Sequence, residues 1–547
     1  MTNKEIAGSF DLLAKVMELH SENPFKIRSY QNAYLNLRKL DKPLGSIPLE
    51  ELKDIPGIGD AIADKIQSLV NTGSMPTLEK YLAKTPPGVI DMLRIHGLGP
   101  KKVAVLWKEH GFTSPGELLY ACNENRLIEL KGFGLKSQET IVQGIDFLQS
   151  SAGKFLHTKI ESHGTEIINK IKNKYPHSEN EMTGNWRLGD LEIRTLEILT
   201  TCKPEELKSL FSEEDMAWKN KSAEHQSHAT WKEFLPTIFY HADQKAWVKN
   251  LLLTTGPENW VSKFDLDGEW TSEQDFFEKN KLPYLPPELR DIDFIEDKSQ
   301  PFISSLVSLK DIKGIIHSHS TYSDGIHSLK EMGDTAQELG YDYFVITDHS
   351  QAAVYAKGLK PDRLEEQWSE IDSLNKNYKA FRIFKGIECD ILASGDLDYN
   401  EAILSNFEVV IASIHSAFQM DIDKATKRLI KAIENPATNI IGHPSGRLIL
   451  SREGYPLNYS KIIDACKVNQ VAIELNANPQ RLDIDFRFIR ECVKKEVFIA
   501  INPDAHNRSA IKDIRYGVQA ARKGLLPKEL CLNALGLEDF QKFCNKR

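Results

Sequence analysis

Nine residues in the C-terminal half of the chain have side chains suited to divalent cations: His317, His319, Asp324, His349, Glu388, His415, His443, Asp504 and His506. Six of the chain's 16 histidines are among them. Imidazole and carboxylate without thiolate suit zinc, manganese or iron rather than calcium. Nine donors exceed the three or four that one ion needs, and a central carboxylate such as Glu388 can bridge, so the expected centre is a cluster of two or three metals. Cations held in this way lower the pKa of a bound water, supply hydroxide at neutral pH and hold the non-bridging oxygens of a phosphate during in-line displacement. The chemistry implied is hydrolysis at phosphorus. His327, in the first of the loops concerned, reads as structural or as a support for the ligands. Arg447, four residues after His443, has the charge to steady a phosphate or to close a surface ion pair.

Elements able to bring these residues together follow from the pattern around them. From about residue 312 the chain alternates short apolar runs with amphipathic stretches; the runs are Gly314–His317, Tyr343–Thr347, Phe381–Ile387, Phe407–Ile414, Asn439–Gly442, Val471–Leu475 and Val497–Ile501. Seven candidate strands with helices between them predict a closed or nearly closed parallel β/α barrel. Catalytic residues of such barrels sit at the C-terminal strand ends. His317 and His319 end the first run, with Asp324 in the following loop; His349 ends the second, Glu388 the third, His415 the fourth, His443 the fifth, and Asp504 with His506 the seventh. The sixth, ending at Glu474-Leu475-Asn476, supplies none of the set.

The first 150 residues or so read as short helices separated by glycines. A unit of the form apolar, any, Gly, apolar, Gly occurs three times, with its glycines at Gly57 and Gly59, Gly97 and Gly99, and Gly132 and Gly134. Glycine permits a tight turn between two helices and leaves the backbone uncovered, and amides at the second helix's N-terminus can then receive a phosphate. Lys101, Lys102 and Lys136, just after the second and third turns, add sequence-independent charge. The set resembles helix-hairpin-helix clamps of the DNA backbone. From 151 to 292 the pattern is mixed, with strand-like stretches Leu191–Thr200 and Pro236–His241 between helical ones, and Tyr284-Leu-Pro-Pro-Glu-Leu-Arg290 reads as a domain exit followed by a connector.

At 547 residues the chain has room for three or four domains. Hydrophobic residues at 41% and charged ones at 27% are near globular averages, which excludes wholesale disorder and collagen-like or membrane compositions. A net charge of −9 gives no bulk attraction for a polyanion, so DNA binding would need local devices such as oriented amides. The seven cysteines have no paired spacing, which argues against a disulfide framework and fits a reducing cytoplasm. No signal peptide or membrane span is expected.

The runs His317-Ser-His-Ser-Thr-Tyr-Ser-Asp-Gly, Ile346-Thr-Asp-His349, Gly386-Ile-Glu388, Ser413-Ile-His415, Gly442-His443-Pro-Ser-Gly-Arg447 and Pro503-Asp504-Ala-His506 resemble the motif set of the PHP (polymerase and histidinol phosphatase) family. The segment Asn23-Pro-Phe-Lys-Ile-Arg-Ser-Tyr-Gln-Asn-Ala33, the hairpin series and Tyr284–Arg290 resemble bacterial family X DNA polymerases, in which a PHP domain follows the polymerase. The resemblance implies a multidomain α and α/β chain: an N-terminal helical DNA-binding domain with the first hairpin (1–90), a fingers-like helix-hairpin-helix region (91–150), a nucleotidyltransferase-like palm and thumb (151–298), and a C-terminal distorted (β/α)7 PHP barrel (312–547). It also implies one metal on His317, His319, Glu388 and Asp504, a second on Glu388, His415 and His443, and a third on Asp324, His349 and His506. Ile315 stands where the family often has an acid. The implied activity is a manganese- or zinc-dependent 3′–5′ exonuclease of DNA repair acting on gapped, nicked or 3′-ended DNA.

The same resemblance requires three palm carboxylates for two magnesium ions, the first two as Asp-x-Asp after a Gly-Ser. Here Gly184-Asn185 is followed by Thr195-Leu196-Glu197, so Thr195 replaces the first Asp and Glu197 the second; a shorter register, less favoured, would use Asp190 and Glu192. No acid occupies 236–241, where the third is expected, and Asp243 follows only at a turn. Polymerase activity is therefore expected to be lost, with magnesium needed only if the palm is active. Lys65 falls where related lyases carry a Schiff-base lysine. The competing readings are a gap-filling polymerase with PHP proofreading, a DNA-binding scaffold with structural metals, and a small-molecule phosphomonoesterase, against which the hairpins argue. The oligomeric state is not legible.

Overall fold

The computed structural model describes residues 3–37, 43–53, 55, 58–95, 97–151, 153–219, 225–291 and 303–545. Gly57 and residues 292–302 of the expected connector lie outside the described residues. Two compact units emerge: Met1–Asn123 with Leu127–Leu148, and Glu124–Arg126 with Gln149–Arg547.

The elements of the first unit are helical. In the helix Asp60–Thr72, Ile62, Ala63, Ile66 and Leu69 recur every three or four residues and are buried, and Asp60 in the first turn complements the helix dipole. Ile6, Phe10, Leu13, Tyr30 and Ile58 complete that core. A second core gathers Val89, Val103, Leu106, Leu118 and Ile141.

The second unit opens with two small sheets. Strand β1 (Phe155–Leu156) pairs antiparallel with β3 (Glu192–Ile193). Strands β2 (Asn180–Met182), β4 (Leu196–Thr200), β5 (Met216–Trp218), β6 (Gln226–Trp231) and β7 (Leu235–His241) form a sheet of order β2-β4-β7-β6-β5, parallel only between β4 and β7. The polar residues Gln226, His228 and Thr230 face outward on β6 while Ser227, Ala229 and Trp231 are buried, so the strand lacks an apolar run to announce it. Helices Trp247–Thr255 and Glu273–Lys279 follow around Val248, Leu252, Trp260, Phe276 and Phe277. Tyr284–Arg290, read as a domain exit, packs into this core: Leu285, Leu289 and Arg290 are buried. Burial of the guanidinium is possible because Glu273 receives its NH1 at 2.7 Å and the Leu285 carbonyl receives Nε and NH2 at 3.2 and 3.1 Å.

Seven parallel strands make the barrel: β8 (Gly314–Ile315), β9 (Tyr343–Ile346), β10 (Arg382–Asp390), β11 (Val409–Ser413), β12 (Ile440–Ile441), β13 (Ala472–Asn476) and β14 (Ile499–Asn502), hydrogen-bonded in chain order. Each of the seven predicted runs overlaps one of them; β10, β13 and β14 extend past the C-terminal ends of their runs. A bridge between Ser318 and Ala505, with the His319 amide 2.9 Å from the Ala505 carbonyl, brings the first and last strands together, so the barrel is nearly closed. All of β9 and β11 is buried, as parallel strands covered on both faces require. Phe344, Ile346, Val410 and Ala412 share a core with Leu329, Leu364 and Leu429 of the flanking helices. The alternate residues Tyr343, Val345, Val409 and Ile411 pack with Phe540 and Phe543 of the last helix. Side-chain caps at Ser328, Asp421, Asn458 and Asp485 start four of the outer helices.

Candidate metal centre

Glu388, near the end of β10, stands among the other eight predicted ligands. Its Oε1 lies 2.9 Å from His443 Nε2, 3.2 Å from His415 Nε2 and 3.3 Å from His317 Nε2; its Oε2 lies 2.9 Å from His349 Nδ1 and 3.7 Å from His319 Nε2. Asp504 Oδ1 is 3.1 Å from His319 Nε2 and 3.4 Å from His317 Nε2. Asp324 meets His506 Nε2 at 3.4 Å and His349 Nε2 at 3.5 Å. His317 (φ +65°) and Asp504 (φ +52°) adopt left-handed backbone at their strand ends. Such residues cost on the order of 1 kcal/mol each and persist where surrounding bonds over-determine them.

Those surrounding bonds come from residues that the ligand pattern alone does not single out. Glu474, on the strand read as contributing nothing, is fully buried and accepts from His317 Nδ1 at 2.7 Å, Asn502 at 2.8 Å, Asn476 at 2.9 Å and the His443 amide at 3.1 Å. It thereby sets the tautomer that turns His317 Nε2 to the centre. Asp390, two residues after Glu388 on β10, faces His415 Nδ1 at 3.2 Å. Asp348, beside His349, accepts from the Ser320 amide at 2.8 Å, the Ser323 amide at 3.2 Å and Gln367 at 2.7 Å, so it holds the loop that carries Asp324. The signal for all three was an acid at or beside a strand end. Replacing Glu474 with glutamine is expected to weaken metal binding by roughly 10- to 100-fold, read by competition with a chelator; unchanged affinity would show that the carboxylate does not orient His317.

Three groups have ligand atoms within 4.8 Å of one another: His319, Asp324, His349 and His506; His317, His319 and Asp504; His349, Glu388 and His415. His319 and His349 each belong to two groups, and His443 to none, a division that differs from the one the family resemblance implied. Several buried atoms here make no hydrogen bond, among them His317 Nε2, His319 Nδ1, both ring nitrogens of His349, Glu388 Oε2, Asp324 Oδ2 and His506 Nε2. Buried polar atoms ordinarily find partners. Nitrogen and oxygen donors left over at one place fit divalent cations.

Burial opposes every charge in the cluster, and the neighbours decide the outcome. The imidazoles of His415, His317 and His349 hold Glu388 well below the usual carboxylate range; His349 and His506 do the same for Asp324, and His317 and His319 for Asp504. Burial, with His506 and His349 alongside, pushes His319 down to about 3. Against burial, Glu388 and Asp390 raise His415 to about 9, and Asp324 and Glu124 raise His506 to about 9. Ionised carboxylates and neutral imidazoles are the ligating forms, so loading displaces protons from His415 and His506 and weakens as pH falls.

Residues 316–478 match the PHP domain family, residues 1–75 a helix-hairpin-helix domain and residues 89–146 a SAM-like helix-hairpin-helix tandem. The DNA polymerase/3′-5′ exonuclease PolX of Bacillus subtilis (strain 168) is 33% identical over 582 residues, covering 100% of both chains. The chain belongs to the PolX family. Probable phosphatases of Thermoanaerobacter sp. (strain X514) and Acetivibrio thermocellus are each 27% identical to it, over 230 and 240 residues, covering 40% and 42% of this chain and 88% and 94% of theirs.

Set against the carboxylate pattern that the resemblance implied, the stretch expected as a palm has a different arrangement. Glu197 on β4 accepts from Tyr240 Oη at 2.7 Å and from the Asn185 amide, and burial pushes its carboxyl up. A Cβ on Gly184 (φ +62°) would lie 2.1 Å from Glu197 Oε1, so the carboxylate fills the cradle that this glycine opens. Thr195 precedes β4 with no charge to offer. Asp190 pairs with Lys523 at 3.2 Å and Glu192 with Lys154 at 2.8 Å, so the shorter register also leaves its acids engaged elsewhere. Asp243 caps the Ala246 amide at 2.7 Å. Among the described residues, the groups able to hold a metal all lie in the barrel.

The PolX hairpins place Gly97 (φ +85°) and Gly132 (φ +91°) in left-handed turns. Gly59, Gly99 and Gly134 directly precede the helices beginning at Asp60, Pro100 and Leu135, with open space around each. Lys101, Lys102 and Lys136 lie in the first turns of the last two. Lys65 has the contacts of a helix-surface lysine: it donates to the Ala61 carbonyl at 3.1 Å and lies 5.7 Å over the Tyr30 ring. Arg447 does not face a phosphate site; it bonds Asp485 and the Arg481 and Leu482 carbonyls, which fix the loop after β13. His327 accepts from the Arg508 amide at 3.4 Å.

Proposed function

We propose that this PolX chain is a DNA-binding, metal-dependent 3′–5′ exonuclease of DNA repair that acts on gapped, nicked or 3′-ended DNA, and that its palm no longer polymerises. One observation carries the reading: five imidazoles from four strand ends converge within 3.7 Å of the Glu388 carboxylate, in a chain with two helix-hairpin-helix matches. The three ligand groups would hold two or three manganese or zinc ions. Such ions, when bound, lower the pKa of water and neutralise charge on a phosphate. Glu388 carries the negative charge that joins the groups. Glu474 and Asp390 orient His317 and His415, and Asp348 keeps Asp324 at the rim. The bare glycine turns and Lys101, Lys102 and Lys136 would take backbone phosphates without reading sequence.

Glu197 in the Gly184 cradle and the diverted Asp190 and Glu192 support a palm kept as scaffold, with magnesium needed only if it still acts. Seven cysteines, all buried and without paired spacing in the sequence, support a reducing cytoplasm, and among the described residues no helix is long and apolar enough to cross a membrane.

Incubation of 5′-labelled duplex, single-stranded and abasic DNA with manganese tests the reading. Wild type is expected to shorten DNA from the 3′ end, with the activity lost in His349→Ala and Asp504→Ala. Shortening that survives both substitutions rules out the barrel, and metal binding without turnover would leave a scaffold. Primer extension by wild type would restore the polymerase.

A further inference from the structure

We infer that Tyr355, with Val354 beside it, is the platform on which the terminal nucleobase of the DNA stacks while its phosphate lies in the metal centre; this rests on the reading of that centre as a 3′-end DNA hydrolase. The loop from Ser350 to Leu359 leaves the barrel directly after His349 and returns to it. The Leu359 amide bonds the His349 carbonyl at 2.8 Å, the Gly358 amide bonds the Ala353 carbonyl at 3.0 Å, and Asp398 receives the Ala352 amide at 2.7 Å. Ala353, Ala356 and Leu359 are buried beneath it. On this fixed pedestal Val354 is 81% and Tyr355 46% exposed. Neither exposed side chain is needed to hold the loop, and both are apolar in a rim otherwise made of imidazoles and carboxylates.

The ring stands where a base would be. Its centroid is 6.1 Å from that of His349 and 6.4 Å from that of His415, at steep angles of 62° and 72°. A phosphate among the ligands has its base one sugar away, outside the ring of imidazoles. Arg126, which belongs to the same compact unit, lies 4.3 Å from the Tyr355 centroid, 3.5 Å from Asp324 and 2.5 Å from Glu124. The guanidinium backs the aromatic ring, and the 46% exposure is what remains open beside it. An aromatic ring with an arginine at a phosphate site is the combination that holds single-stranded bases without reading their identity, since every base has a π face.

Two oligonucleotides that differ only in a 3′-terminal thymidine or a 3′-terminal tetrahydrofuran abasic residue test this. Wild type and Tyr355→Phe are expected to favour the base-bearing end by roughly 10-fold in kcat/KM, the scale of one stacked base. Tyr355→Ala is expected to lose that preference through KM, with hydrolysis of the abasic end and metal content unchanged. An equal fall on both substrates, or a drop in bound metal, would make Tyr355 structural and overturn the inference while leaving the exonuclease standing. A wild type that favours neither end also overturns it. A wild type that cleaves neither overturns both.

Discussion

Changing Glu388 to glutamine is expected to lower hydrolysis of 5′-labelled DNA by roughly 10³-fold, about 4 kcal/mol of lost transition-state stabilisation. The substitution keeps the shape of a side chain that is 1% exposed, so the barrel core is not opened. What it removes is the negative charge facing His317, His319, His349, His415 and His443. Without it the His349–Glu388–His415 group loses its only carboxylate. The loss should exceed that of Glu474→Gln, because Glu474 acts through His317 while Glu388 faces the cations. Metal content per chain should fall in parallel, and excess manganese should restore only part of the rate. Activity within about tenfold of wild type at unchanged metal content would place hydrolysis elsewhere in the chain.

The barrel and its ligands were legible because two local signals coincide: a short apolar run gives the strand, and a histidine or acid at its end gives the pole. The supporting acids were not. Glu474 on β13 has the same local look as any carboxylate at a strand end, and only the closing of the barrel brings it to His317, 157 residues earlier in the chain. Strand β6 escaped because the buried face of Gln226-Ser-His-Ala-Thr-Trp231 offers only one large apolar side chain, Trp231, beside Ser227 and Ala229. In Tyr284–Arg290, read as a domain exit, the sequence does not show that Arg290 is buried, because its partner Glu273 lies 17 residues earlier. In the palm, sequence left two registers open, and the structure engages the acids of one of them in other pairs.

Those pairs tie the barrel to the region that precedes it. Lys523, on the barrel helix Ile514–Lys523, is 4% exposed and reaches the Leu188 carbonyl at 3.0 Å, Asp190 at 3.2 Å and Asp291 at 2.7 Å. Arg522 binds Glu288 at 2.5 Å, and Arg515 binds Glu161 at 3.0 Å. A helix that packs on β13 and β14 is thus tied by three sets of polar contacts to residues 161–291.

The stability of residues 247–291 depends on one carboxylate, and Glu273→Gln is expected to lower it by about 3–5 kcal/mol. Glu273 receives Arg187 in bidentate fashion at 3.0 and 2.7 Å and Arg290 at 2.7 Å. Arg290 is 1% exposed, packed near Trp260 and Phe277, so a neutral amide leaves a guanidinium buried without its countercharge. Burial alone would raise the Glu273 carboxyl, but the hydrogen bonds from Arg187 and the charge of Arg290 outweigh it and hold it at about 2, against 4.5 when unfolded. A depressed carboxyl stabilises the fold at pH values above its unfolded pKa. The difference amounts to about 3 kcal/mol, in line with the mutational figure, and it disappears as pH falls from about 4.5 to about 2. Hydrogen exchange over Trp247–Asp291 reads both effects. Protection there should drop by roughly 10²- to 10³-fold in Glu273→Gln. Wild type should lose protection progressively across that acid window, while the variant shows no such step. Hydrolysis of a small phosphodiester, which needs only the barrel centre, should be unaffected at neutral pH. Equal protection in the two proteins at neutral pH would mean that the Arg187–Glu273–Arg290 cluster contributes nothing net, as a buried ion pair whose desolvation cancels its attraction would.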